Sequence, residues 1–164
     1  FLNDITAALQ GVLYVSDSNT ASIWRVDINT GCSALLSDGS VPGVNGLYFD
    51  AEQNRLLATS SLDGASIQQV DLTTGRPGQL VALEFGYLDG LTSDGEGRWY
   101  VSSWQAGAVY RLAADFSNCE VFADGYNGPA DIYYSLDQQV LAVPVFNANR
   151  LDLLEVSPTT RQRD

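Results

Sequence analysis

Short apolar runs alternate with polar turns along the whole chain, and no stretch carries apolar residues at helical spacing. The opening Phe1–Thr6 is followed by a strand pattern at Val12–Ser16. A second follows at Ser22–Asp27 after the polar loop Asp17–Thr20, and a third at Ser33–Ser37 after the turn Asn29-Thr30-Gly31. The same succession is predicted at Leu47–Asp50, Arg55–Thr59, Ala65–Asp71 and Leu80–Glu84. It recurs at Gly90–Ser93, Trp99–Ser103, Ala108–Leu112 and Glu120–Ala123, and again at Asp131–Ser135, Gln139–Val143 and Arg150–Val156. Asp94-Gly95-Glu96-Gly97 reads as a hairpin turn, because it is too short for an EF-hand loop.

The pattern is periodic. Tyr14-Val15-Ser16, Leu57-Ala58-Thr59, Tyr100-Val101-Ser102 and Leu141-Ala142-Val143 begin 43, 43 and 41 residues apart. Units of this length holding about four antiparallel strands are the signature of β-propeller blades. The expectation is an all-β propeller of about four blades, spanning roughly 1–39, 40–84, 85–124 and 125–158, with a tail at 159–164. The last unit supplies only three strands, so these units are expected to be part of a larger ring. Self-association that closes or covers an incomplete ring is a further expectation.

Composition narrows the function. Eight basic against 20 acidic residues, a net charge of −12, weigh against nucleic acid, which needs clustered Lys and Arg. No apolar run approaches the ~20 residues of a membrane span, and no membrane partner is expected. The chain has no His, which removes His-dependent nucleophile chemistry and His-ligated zinc. Cys32 and Cys119 fall in corresponding outer parts of units two apart, too far for a disulfide, so two unpaired thiols are expected.

A second repeat lies where each unit's first strand begins: Leu2-Asn3-Asp4-Ile5, Val44-Asn45-Gly46-Leu47, Leu88-Asp89-Gly90-Leu91 and Pro129-Ala130-Asp131-Ile132. Asn3, Asn45, Asp89 and Ala130 share one column, which rotational symmetry turns toward a common channel. Asn45-Gly46 and Asp89-Gly90 also suit turns, but loops precede both pairs, which fits a hairpin poorly. Converging amide and carboxylate oxygens suit a hard cation such as calcium. Asp131 lies one position out of register and reads as a backbone cap turned away from Asp89's direction. Trp24 and Tyr110 read as aromatics packed between blades.

The strand-opening Asn-Asp, Asn-Gly-Leu and Asp-Gly-Leu, each followed by strands such as Leu-Tyr-Val-Ser and Trp-Tyr-Val-Ser, resemble the SMP-30/gluconolactonase/LRE-like (regucalcin-like) family from Leu2 to about Val156. That resemblance implies a six-bladed propeller with a divalent metal, most often calcium, in the channel, and hydrolysis of a small-molecule lactone or related ester. It implies Asn45 and Asp89 as metal ligands, Asn3 as a third lining residue, and Asp89 as the general base. A Glu ligand usual near the family's N-terminus has no counterpart here. Strand ends place Asp17, Ser103, Trp104 and Phe146 near the mouth, with the two aromatics as candidate walls of a substrate pocket. The rival expectation is a non-catalytic propeller, like NHL repeats, that binds a ligand or a protein and holds at most a structural calcium.

Overall fold

A computed structural model describes residues 1–64 and 66–157, so the tail at 159–164 lies outside the described residues. The chain is all-β and forms a four-blade propeller of antiparallel sheets taken strictly in chain order. Blade 1 holds β1 (Leu2–Ala7), β2 (Val12–Asp17), β3 (Ser22–Asp27) and β4 (Cys32–Ser37). Blade 2 holds β5 (Val44–Asp50), β6 (Arg55–Ser60), β7 (Ser66–Val70) and β8 (Pro77–Ala82). Blade 3 holds β9 (Leu88–Ser93), β10 (Arg98–Ser103), β11 (Ala108–Ala113) and β12 (Cys119–Ala123). Among the described residues blade 4 holds three strands, β13 (Tyr133–Ser135), β14 (Val140–Val145) and β15 (Arg150–Glu155).

Two departures from the expected strands have local causes. The outer strand of blade 2 begins at Pro77 rather than Leu80, because a proline without an N–H is tolerated as the first residue of an edge strand. The inner strand of blade 4 begins at Tyr133 rather than Asp131; Asp131 bends the chain into it.

Cross-strand pairing corrects the repeat register. Thr6 pairs Tyr14, Tyr48 pairs Leu57, Thr92 pairs Tyr100, and Tyr133 pairs Ala142. Blade 4 therefore aligns one residue later than the apolar pattern suggested. Pro144, not Val143, occupies the column of Ser16, Thr59 and Ser102.

Three apolar cores fill the three seams between successive blades. Tyr14, Ile23, Val44, Leu47 and Leu56 join blades 1 and 2. Leu57, Ile67, Leu91, Trp99 and Val101 join blades 2 and 3, where Tyr110 stacks on Phe85 at 3.7 Å, packing between blades as expected. Tyr100, Val109, Ile132, Leu141 and Val143 join blades 3 and 4. Each fully buried aliphatic side chain contributes about 1.5–3 kcal/mol.

Hydroxyls pin the seams near the channel. Ser16 Oγ accepts from the Asp4 N–H at 2.9 Å and donates across the seam to Asn45 O at 2.8 Å. Thr59 Oγ1 accepts from Gly46 N at 2.9 Å and donates to Asp89 O at 2.6 Å. Ser102 Oγ accepts from Gly90 N at 2.9 Å and donates to Ala130 O at 2.8 Å. Each clasp thus fixes the backbone of the column residue in the following blade. Pro144 has no hydroxyl and ends the series.

Candidate functional site

The inner strands β1, β5, β9 and β13, with the approach to β13, line a cavity of about 370 Å³ that includes Asp4, Thr6, Tyr48, Thr92, Asp131 and Tyr133. At one end, the column residues form a hydrogen-bonded chain across three blades. Asn3 Nδ2 donates to Asn45 Oδ1 at 2.6 Å and to Ser18 Oγ at 3.0 Å. Asn45 Nδ2 donates to Leu88 O at 3.2 Å, and Trp104 Nε1 donates to Asp89 Oδ2 at 2.7 Å. Both Asn45-Gly46 and Asp89-Gly90 lie inside strands, so neither pair makes a turn.

Glycine is required after Asn45 and Asp89. A methyl on Gly46 would lie 2.2 Å from Asp89 O, and one on Gly90 would lie 2.2 Å from Ile132 N and 2.6 Å from Asp131 Oδ1. These close approaches let neighbouring inner strands converge. Blades 1 and 4 carry Asp4 and Asp131 at the same step. Asp4 Oδ2 accepts from Leu47 N of blade 2 at 2.5 Å, and its Oδ1 accepts from Ile5 N at 2.6 Å.

The channel is consequently a site of like charge. Burial pushes the Asp89 carboxyl above the ordinary carboxylate range, aided by Asp4 and opposed by hydrogen bonds from Trp104 and Asn45. Burial raises Asp4 as well, against the bonds from Leu47 and Ile5. Asp131 is pushed up to about 7 by burial and by its neighbours Asp4 and Asp89. Its residue surface stays open to the channel; the crowding walls and two carboxylates, rather than full enclosure, set the direction of the shift. Asp131 does cap its own following N–H, that of Ile132, as expected. It lines the cavity together with Asp4, while Asp89 is held at the Trp104 end. One sequence signal could have found Asp4 and Asp131: the position after the column reads Asp, Gly, Gly, Asp.

The other candidates separate into two groups. Trp104 and Phe146 come together at the mouth, ring centroids 5.5 Å apart, and both remain exposed. Gly128 packs so close that a methyl there would lie 3.0 Å from the Trp104 ring. Ser103 is buried, its hydroxyl donating to Gly86 O at 2.7 Å and accepting from Ala106 N at 3.1 Å. Asp17 holds the N-terminal ammonium at 2.7 Å and caps the Asn19 and Thr20 N–H groups. Neither joins the aromatic pair.

The column tests poorly as a calcium cage. Calcium takes roughly six to eight oxygens. Here Asn3 turns its amide nitrogen toward Asn45, whose oxygen is the acceptor, and one Asp89 oxygen is held by the Trp104 indole. Among the described residues no group of three or more His, Cys, Asp or Glu side chains can hold a metal ion. An ion bound there would have to displace the Asn3–Asn45 and Trp104–Asp89 hydrogen bonds.

No family model and no curated protein matches the chain. Solved structures do. The structure described as a nidogen/laminin complex superposes with a TM-score of 0.65 at 16% identity, covering 82% of this chain and 58% of the other. The computationally designed Ika8 protein superposes with a TM-score of 0.61 at 16% identity, covering 93% of this chain and 45% of the other. At this identity the likeness is one of fold alone. The chain spans less than two thirds of the length of each of these structures.

Proposed function

We propose that the chain is a non-catalytic propeller module that binds a protein partner, at the channel end that carries Trp104 and Phe146. The observation that carries this reading is the aromatic pair itself. Two large rings stand exposed at a polar mouth, fixed from behind by the indole bond to Asp89 and by backbone bonds from Trp104 N to Tyr87 O and from Phe146 N to Gly128 O. Rigid, partly desolvated aromatics are the usual anchors of protein interfaces. The similar fold in a complex of two proteins supports the same class of role. The Asp89 carboxylate held by the Trp104 indole, in a chain of net charge −12, favours a basic segment.

The test is fluorescence titration with lysine- and arginine-rich 12-residue peptides that carry an apolar residue, against acidic peptides of the same length. Basic peptides should bind, and Trp104→Ala should weaken them by about tenfold or more, the cost of losing one anchor. Equal binding of both peptide sets, or none, overturns the reading.

A second reading, metal-assisted hydrolysis of a lactone or related ester, draws on Asn3, Asn45 and Asp89 standing together beside a carboxyl whose proton affinity is raised. On that reading lactone hydrolysis collapses in Asp89→Asn while the fold survives, and calorimetric calcium heats vanish in Asn45→Ala. Unchanged rates and equal heats leave the binding module.

A further inference from the structure

Two residues before the column, Gly43, Tyr87 and Gly128 occupy equivalent positions in blades 2, 3 and 4. Each accepts the same bond: Ser61 N donates to Gly43 O at 2.8 Å, Trp104 N to Tyr87 O at 2.9 Å and Phe146 N to Gly128 O at 2.8 Å. Each also has a left-handed backbone, with φ of 64°, 50° and 73°. Glycine adopts this region freely, whereas a bulky side chain there is an outlier. Blade 3 places a tyrosine in it, and that residue is 48% exposed. Phe116, also left-handed at 61°, is different: it is 7% exposed and stacks on Trp99 at 5.3 Å, so packing compensates its backbone. Tyr87 joins none of the three apolar cores. A strained backbone that carries an exposed aromatic points to a role at the surface.

Tyr87 belongs to a row. Its N–H donates to Leu62 O at 2.8 Å, so backbone bonds join Leu62, Tyr87 and Trp104 across the seam of blades 2 and 3. Leu62 is 48% exposed and Trp104 36%. Gln105 braces the row from the side: its Oε1 accepts from Gly86 N, and its Nε2 donates to Asp63 Oδ1 at 3.0 Å. Gly86 packs so closely that a methyl there would lie 2.5 Å from Leu62 O. The row is therefore held in place before any partner arrives, which lowers the cost of binding.

Charge identifies what the row would meet. The strand order brings loops 18–21, 38–43, 61–64, 83–87, 104–107, 124–132 and 146–149 to this end of the propeller. They carry Asp38, Asp63, Glu84, Asp124 and Asp131 and no Arg or Lys. Arg150, which opens β15 at the same end, is paired with Asp152 at 2.7 Å. Asp63 and Glu84, next to the row in sequence, are both exposed. We infer that Leu62 and Tyr87 form a second anchor site for one basic partner segment. The segment places one apolar side chain over Trp104 and Phe146 and another over Leu62 and Tyr87, with its cations toward Asp63 and Glu84. This inference rests on the peptide-binding reading of the mouth, and it specifies a partner with two apolar residues instead of one.

Fluorescence titration with basic peptides tests it, one set carrying a single apolar residue and the other a second one moved in turn along the peptide. At the best spacing the second residue should tighten binding to wild type by about tenfold. Tyr87→Gly should lose that gain and still bind the single-residue peptides as wild type does. Its thermal midpoint by circular dichroism should not fall, because the position suits glycine. Equal affinity of both peptide sets at every spacing overturns the inference and leaves the Trp104 anchor standing. A gain that survives in Tyr87→Gly overturns it as well, and so does a lower midpoint, which would make Tyr87 a packing residue. Wild type that binds neither set overturns this inference together with the reading it rests on.

Discussion

At the scale of single residues, the channel is governed by which carboxylates keep their protons. Asp131, with its affinity raised to about 7, binds a proton in the folded chain that it loses near pH 4 when unfolded. The folded state then holds more protons than the unfolded state between about pH 4 and 7, so stability is fully present below that window and declines as pH rises through it. Asp4 and Asp89, shifted in the same direction, add to the decline. Asp131→Asn should flatten it and raise the thermal midpoint at pH 8, as followed by circular dichroism; an unchanged pH profile would show that Asp131 titrates as an ordinary surface carboxylate. The column was legible in the sequence because Asn3, Asn45 and Asp89 recur at blade spacing. What they do to each other was not, because a column says which residues face an axis and nothing about which amide atom turns to which neighbour. Asp4 and Asp131, one step past the column, line the cavity without Asp89.

At the scale of elements, each inner strand is held to the next by a hydroxyl with two bonds. Thr59→Val keeps the shape of the side chain and removes both, leaving Gly46 N and Asp89 O buried without partners. The expected cost is about 2–6 kcal/mol, from roughly 1–3 kcal/mol for each of the two buried groups left unsatisfied. Urea denaturation measures it, and a loss below ~1 kcal/mol would mean water replaces the clasp. Strand number and period were legible from apolar runs and turn residues. The register of the fourth blade was not: Pro144 replaces the hydroxyl that marks the position in the other three, so the apolar pattern Leu141-Ala142-Val143 slid one residue early. Pro77 misled in the same way, since a proline reads as a break in a strand unless the strand is known to be an edge.

At the scale of the whole molecule, charge and apolar exposure pull in opposite directions. Twenty acidic against eight basic residues repel one another within one copy and between copies. Salt shortens the reach of that repulsion to about 8 Å near 0.15 M. The thermal midpoint should therefore climb by a few degrees between 10 mM and 150 mM sodium chloride, read by differential scanning calorimetry at fixed protein concentration. A fall would show that attractive ion pairs such as Arg55–Asp50 outweigh the excess of like charge. Cys32 and Cys119 take no part in this balance: both are free and exposed, each opening the fourth strand of its own blade.

The hydroxyl clasps also bear on how a disturbance travels. Each one touches the backbone of a column residue whose own side chain reaches the mouth, so a ligand that tugs on Asp89 loads the Thr59 hydroxyl and, through it, Gly46 in the blade behind. Asn45 is tied the same way to Ser16 and Asp4. The blades are thus tied through their inner edges as far as Ala130, and Pro144 offers no hydroxyl to carry the thread beyond it.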